Sequence, residues 1–390
     1  MNAVPATDAP PVRFDTRAAA NGTLIGIATL DAPRTLNGLS LDMARLLDAQ
    51  LAQWADDARI AMVVLEGAGE KAFCAGGDLH GLYRSMVEFR ASGATDIRDN
   101  AYASDFFAVE YRLDHRIHTY PKPVLCWGHG IVMGGGIGLM AGASHRVVTE
   151  RSKLAFPEIT VGLYPDVGGS WLLARVPDRG GLFLALTGAP LDAGDAIRAG
   201  LADHHVAQAH GEEVYDALLR VDWQADAAAN REALTALLRS YAQTPAAGPL
   251  ERHAALVASV CAHDDLDDVV AAIAAIDTDD AWLSNAKTTL AAGSPGSARL
   301  GFALQCRAKS LSLADTFRLE YVASLRCAAH GDFAEGIRAL LVDKDRAPRW
   351  NPATLAAASA AWAEPFFVAP WPADAHPLAD LGRTPTEISA

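Results

Sequence analysis

Residues 129–138 read HGIVMGGGIG and follow directly on the apolar run Val124–Trp127. A strand that runs into consecutive glycines and then into Ile137, Leu139 and Met140 predicts a strand–turn–helix unit with the backbone laid bare at the turn. Glycines opening a helix after a strand invite a nucleotide-binding reading. Here Gly134 and Gly136 are followed by Leu139, so G-x-G-x-x-G fails in every register. No acidic residue sits about 20 positions beyond on a second strand, as that fingerprint requires. The physical reading that remains is a helix N-terminus whose free N–H groups face a developing negative charge.

Two further stretches flank this one. Upstream, KAFCAGGD (71–78) places two adjacent glycines between a strand and a helix, with Asp78 suited to cap that helix. As a structure-only feature this would be an ordinary glycine turn. Downstream, FPEITVGLYPDVGG (156–169) carries Glu158 and Asp166 on a loop bracketed by Pro and Gly, among Phe156, Ile159, Val161 and Leu163. Apolar surroundings raise a carboxyl pKa and tune it for proton transfer. The plainer alternatives are a helix cap for Asp166 and a solvated loop acid for Glu158.

Working outward, Leu24–Leu30 and Ala61–Leu65 read as strands, and Ser40 caps a helix that starts at Leu41 with Ala44, Leu47, Leu51 and Trp54 on one face. A glycine-rich loop spans 67–77. Helices are expected over 79–89 and 106–118, and short strands over 146–149 and 153–156. Strand and helix alternate, so the first half is α/β. Beyond about Asp178, Ala- and Leu-rich stretches at helical period dominate: 215–219, 231–241, 252–261, 281–290, 313–329 and 333–341, with breaks at 244–249 and 293–296. The expected organisation is a flexible N-terminus over 1–13, an α/β core over 14–210 that holds the site, and a helical region over 211–390 packed on that core.

The bulk properties exclude several classes. A chain of 390 residues with 51% hydrophobic and 21% charged residues can bury a large core. A net charge of −14 and the lack of any basic run argue against nucleic acid as a partner. Five widely spaced cysteines without C-x-x-C fit buried thiols in a reducing cytoplasm, not a disulfide framework or a zinc site. Cys74 has no histidine nearby in sequence and reads as packing. His115, His118, His204 and His205 lack metal-ligand company, so no metal is expected. The apolar stretch 131–143 is too short and too glycine-broken to span a bilayer. The opening MNAVPATDAPPV has neither a basic start nor an apolar core, unlike a secretory or transit peptide. Together these features predict a cytoplasmic protein with no membrane partner.

AFCAGGD, HGIVMGGGIGL and PEITVGLYPDVGG, in this order and spacing, resemble the crotonase (enoyl-CoA hydratase/isomerase) superfamily. LDAPRTLNGLSLDM (30–43) is similar to its opening motif. SLRCAAHGDFAEGIRALLVDKDRAPRWNP (324–352) resembles the C-terminal segment of the 3-hydroxyisobutyryl-CoA hydrolase branch, which shorter members lack. The resemblance runs from about residue 22 to 354. It implies a ββα-superhelix core followed by helices, and an acyl-CoA substrate with no separate cofactor, coenzyme A being part of that substrate. It also implies thioester hydrolysis, in valine breakdown for that branch, and a possible homo-oligomer.

Residue by residue, the resemblance implies an oxyanion hole from the N–H groups of Gly77 and Gly135. Hydratases of the superfamily use two glutamates. One matches Glu158, and the other falls on Gly138, so this chain lacks a hydratase's second acid. The hydrolase branch keeps the acid at 158 and adds Asp166. Glu158 then attacks the thioester carbonyl or activates a water, and Asp166 orients, protonates or binds the 3-hydroxyl. Glu110, Gly135 and Asp78 are assigned to the substrate pocket. Arg34 and Lys71 are candidates for the coenzyme A phosphates, against the reading of both as solvated charges. The alternatives are an enoyl-CoA isomerase or hydratase of the same superfamily, or a non-catalytic acyl-CoA binder.

Overall fold

The computed structural model describes residues 10–383. Nine strands form two sheets. The larger has the order β1 (Val12–Ala18), β2 (Leu24–Leu30), β3 (Ile60–Gly67), β5 (Val124–Gly128), β7 (His145–Val148) and β9 (His204–His205). Only the β1–β2 pair is antiparallel. The smaller sheet is parallel, in the order β4 (Ala72–Cys74), β6 (Ile131–Met133) and β8 (Lys153–Ala155).

Consecutive strands alternate between the sheets: β3 then β4, β5 then β6, β7 then β8. Each such pair leads into a helical turn: α2 (Leu79–Ala91) after β4, α4 (Gly135–Ala141) after β6, and the short turn Glu158–Thr160 after β8. This is the repeated ββα superhelix. It brings the ends of β4, β6 and β8, and so the three motifs, to one place.

Local chemistry explains the elements. Ser40 caps α1 (Leu41–Asp56) by accepting from Met43 N at 3.1 Å. α3 (Ala101–His118) begins five residues before the sequence reading, because Asn100 caps it by accepting from Ala103 N. Phe106, Phe107, Tyr111, Leu113 and Ile117 on α3 are each at most 2% exposed. Burying an aromatic or aliphatic side chain of this kind is worth roughly 1.5–3 kcal/mol, which commits α3 to the interior.

Several expectations are corrected. Val12 and Arg13, read as flexible terminus, are the start of β1; residues 1–9 of that span lie outside the described residues. β1 escaped notice because it is an edge strand whose residues after Val12 are mostly exposed and polar, with Arg13 bound to Asp31. The glycine-rich loop at 67–77 contains β4, and the glycine motif contains β6. In the second half, Pro295 does not mark a simple break. It is the first residue of the helix Pro295–Ala308, capped by Ser294. A helix over Leu266–Ala274 was also not foreseen.

The helices of the second half share cores with the first. One apolar cluster joins the sheets to residues 250–298, and another joins α2, α3 and the 161–167 loop to residues 300–381.

Candidate functional site

The site is assembled from backbone first. Gly134 adopts φ +48° and ψ −121°, and α4 starts at Gly135 against β4 so tightly that a Cβ on Gly136 would lie 2.2 Å from Cys74 O. No side chain fits there, which is why glycine is required. The same closeness brings the two predicted donors together: a Cβ on Gly135 would lie 3.4 Å from Gly77 N. Neither Gly77 N–H nor Gly135 N–H donates to an acceptor among the described residues. Gly77 itself is held by its neighbours, with Leu39 N donating to Gly76 O and Asp78 N to Leu39 O, each at 2.8 Å.

Carboxyls surround this pair. Glu158, on the turn after β8, brings Oε1 within 3.0 Å of where a Gly134 Cβ would stand, and its Oε2 is buried without a hydrogen-bond partner. Glu110, on α3, brings Oε1 to 2.5 Å from a Gly135 Cβ position. Asp166 accepts a 2.5 Å hydrogen bond from the Tyr111 hydroxyl. These three predicted acids thus converge with both predicted glycines.

Two acids that the sequence reading missed complete the group. Asp114 lies one helical turn from Glu110 on the same face of α3, and neither of its oxygens has a partner. Glu320, on the helix Leu313–His330, accepts from Gly168 N at 2.7 Å and Ser170 N at 3.0 Å. The five are 2% (Glu110), 0% (Asp114), 6% (Glu158), 5% (Asp166) and 0% (Glu320) exposed. The spacing of Glu110 and Asp114 was a usable signal. Glu320 gave none, since one acid in a helical, Leu- and Ala-rich stretch reads as a surface residue.

Burial in like-charged company sets the protonation. Loss of water, and then the Asp166 charge, push Glu158 and Glu110 well above the ordinary carboxylic range, and Asp114 likewise. Burial and Asp166 lift Glu320 to about 8. Burial also raises Asp166, but the Tyr111 hydrogen bond opposes it and holds the group at about 6. Asp166 therefore lies below Glu320, and its charge favours protons on its neighbours.

Gly138, where a hydratase's second acid would stand, has no room for a side chain. A Cβ there would meet Asp114 Oδ2 at 2.6 Å and Val167 Cβ at 2.8 Å. Asp78 caps α2 through His80 N and also lies beside Gly81, outside the carboxyl group. Arg34 is exposed on the turn Pro33–Thr35, away from the acids and without an ion-pair partner among the described residues. Lys71 lines a separate surface cleft of about 360 Å³ with Pro33, Leu36, Asn37, Glu70 and Arg151. Cys74 is buried and its thiol is raised to about 12, chiefly by loss of water, as a packing residue's would be.

The family model described as Enoyl-CoA hydratase/isomerase matches residues 25–367. The chain belongs to the enoyl-CoA hydratase/isomerase family. It is 36% identical over 344 residues to the mitochondrial 3-hydroxyisobutyryl-CoA hydrolase of Danio rerio, covering 88% of this chain and 86% of that one. With the human protein of the same name the identity is 34% over 335 residues, 85% and 82% of the two chains. Among solved structures, a carnitinyl-CoA dehydratase from Mycobacterium thermoresistibile superposes with a TM-score of 0.79 at 37% identity, covering 92% of this chain and 97% of that one. An enoyl-CoA hydratase from Rhodobacter sphaeroides 2.4.1 gives 0.79 at 33% identity, with 91% and 97% covered. The crotonase fold and the acyl-CoA enzyme family expected from the three motifs are thus established for this chain.

Proposed function

We propose that this family member hydrolyses acyl-CoA thioesters, with 3-hydroxyisobutyryl-CoA and related short 3-hydroxyacyl-CoAs as substrates. The observation that carries the reading is the pairing of unsatisfied groups: two free backbone N–H donors beside a buried Glu158 whose Oε2 has no partner. An unmade hydrogen bond at a buried group such as Gly135 N–H or Glu158 Oε2 costs roughly 1–3 kcal/mol, which favours a ligand that completes it. A thioester carbonyl oxygen suits the Gly77 and Gly135 donors. As the tetrahedral intermediate forms, that oxygen gains negative charge, and preorganised donors are worth about 3–4 kcal/mol at such a centre.

Glu158 supplies the attack, either as nucleophile on the carbonyl carbon or as base for a water. In the second case the water oxygen bonds to carbon, Glu158 takes its proton, and the C–S bond breaks to release coenzyme A and the free acid. Asp166 and Glu110 line the acyl side, where a 3-hydroxyl finds an acceptor. Asp78, in this reading, shapes the pocket edge through α2. Lys71 and Arg151 across the surface cleft, with Arg34 beside it, offer positive charge to the coenzyme A phosphates. For Glu158 to act as base or nucleophile it must lose its proton, so turnover rises with pH.

The closed position at Gly138 disfavours concerted hydration, which needs a second acid there. An isomerase needs only the acid at 158 and is the enzymatic rival. The reducing environment that five unpaired cysteines require is met in the cytoplasm, which we retain as the location, although the hydrolase relatives are named mitochondrial. Among the described residues, no helix is long and apolar enough to cross a membrane.

The test is thiol release from 3-hydroxyisobutyryl-CoA and 3-hydroxypropionyl-CoA, with crotonyl-CoA and a 3-enoyl-CoA followed by absorbance alongside. Release of coenzyme A from the first two is expected. A shifted or hydrated double bond without release would move the chain to the isomerases or hydratases, and binding without any turnover would make it an acyl-CoA binder.

A further inference from the structure

The helix Leu313–His330 enters the site from the second half of the chain. Its Glu320 carboxylate receives both Gly168 N–H and Ser170 N–H, at 2.7 and 3.0 Å. Those two donors belong to the turn that follows Asp166. That turn is strained: Val167, a β-branched residue, sits at φ +56°, and Gly168 at φ +78°. Such a conformation persists only where its surroundings over-determine it, and Glu320 is the group that receives the turn's free donors.

One helical turn further on, Ser324 Oγ lies 2.8 Å from the Tyr111 hydroxyl and 2.8 Å from the Tyr164 hydroxyl. Tyr111 commits its proton to Asp166. Ser324 must therefore donate to Tyr111, and Tyr164 donates to Ser324 or to Glu320 O, 2.7 Å away. The chain Ser324–Tyr111–Asp166 is polarised in one direction, and each link strengthens the next. Ser324, Glu320, Tyr164 and Tyr111 are each at most 0% exposed, so no water substitutes for a missing member.

We propose that Glu320 and Ser324 are positioning residues for Asp166, and that the helix carrying them is a working part of the thioester site rather than a cover over it. Glu320 fixes the backbone from which Asp166 projects, and Ser324 fixes the hydroxyl that binds its carboxylate. The titratable groups facing Asp166 are Tyr111, Asp114 and Glu110 from α3, Glu158 from the turn after β8, Tyr164 from the loop, and Glu320 and Cys327 from this helix. Burial raises the Asp166 carboxyl, and the Tyr111 hydrogen bond is the side-chain contact that opposes it.

The inference rests on the hydrolase reading, and its test separates the two. Glu320→Gln keeps the size of the side chain but turns an NH₂ group against one of the two backbone donors. It also removes an acid beside Asp166. Ser324→Ala leaves the Glu320 bonds to the turn intact and removes the Ser324 contacts with Tyr111 and Tyr164. CoA release from 3-hydroxyisobutyryl-CoA is followed from pH 5 to 9, with melting temperatures alongside. The expected result for Glu320→Gln is a fall in kcat of roughly 30-fold or more with KM within about threefold, and an Asp166 carboxyl titration moved to higher pH as the turn loosens from Tyr111. For Ser324→Ala it is a fall of roughly 3–10-fold with the same titration moved to higher pH by less.

Simple loss of stability does not move the titration of Asp166 in the folded protein. An unchanged Asp166 titration and kcat in both variants, whatever their melting temperatures, would overturn the proposal. If Glu320→Gln does not fold, Ser324→Ala decides alone. If the unaltered protein releases no coenzyme A, the hydrolase reading fails. The Asp166 carboxyl titration, read by ¹³C NMR against Asp166→Asn, still decides this one: upward shifts in the variants uphold it and unchanged values sink it.

Discussion

Two clusters of acids in this molecule are treated in opposite ways. Near the C-terminal side, Arg338 binds Glu335 at 2.8 Å, Asp343 at 2.6 Å and Asp345 at 2.7 Å, and Arg349 approaches Glu335 from the other side. Every carboxylate there faces a guanidinium, and Glu335 is held below the usual carboxylate range by its Arg338 hydrogen bonds. In the interior, Glu110, Asp114, Glu158, Asp166 and Glu320 are packed together with no Arg or Lys ion pair among the described residues, and all are raised, mainly by burial. The first arrangement holds the chain in place. The second is costly to keep, because a buried acid must either give up its charge or go uncompensated. A fold keeps such a group where its chemistry requires it.

Breaking the interior cluster should have the largest effect on activity. Glu158→Gln removes an acid whose buried Oε2 is an orphan beside the free glycine donors, and kcat for thioester hydrolysis should fall by about 10²–10⁴-fold. Tyr111→Phe comes next. Without its hydrogen bond Asp166 rises above about 6, so its carboxyl titration, read by ¹³C NMR, should move to higher pH, with kcat at neutral pH down roughly tenfold. An unmoved titration would mean that Tyr111 does not govern Asp166. Lys71→Ala with Arg151→Ala should raise KM for acyl-CoA by roughly 3–10-fold, an effect that shrinks with salt and leaves kcat alone. An equal rise in KM for a coenzyme A-free thioester would place the phosphates elsewhere.

Stability sharpens the same contrast. The folded-state pKa of Glu158 lies well above 4.5, so the folded chain holds its proton where the unfolded chain has lost it. That contribution is complete below about 4.5 and is lost as pH rises through the folded value. Glu158→Gln should therefore melt higher than the unaltered protein at pH 8 and about equal to it at pH 4.5. Arg338→Ala should do the reverse of the site variants: a lower melting temperature at neutral pH, with kcat unchanged. A loss of activity on Arg338→Ala would erase the distinction between the two clusters.

Much of this was legible in the sequence, for particular reasons. Ser40, the 24–30 run and the spacing of Leu41, Ala44, Leu47 and Leu51 carry strong local signals, and they place α1 and β2 within a residue. The glycines at 77 and 135 and the acids at 110, 158 and 166 lie in or near ordered motifs, and the fold brings all five together. β4 and β6 were hidden because three-residue strands pinned by a buried sheet need no alternation of their own. Glu320 and Ser324 were illegible because what matters is the partner, Gly168 or Tyr111, some 150 to 210 residues away. Arg34 and Asp78 lie outside the acid group, since a charge near a motif in sequence need not share its cavity.

The most direct test of the account compares the unaltered chain with Glu158→Gln on 3-hydroxyisobutyryl-CoA, measuring acyl-CoA binding and coenzyme A release in the same preparation. The account predicts that Glu158→Gln binds within about threefold of the unaltered protein and releases coenzyme A at least about 10²-fold more slowly. Release at an undiminished rate by Glu158→Gln would contradict it and move the chemistry to another of the buried acids.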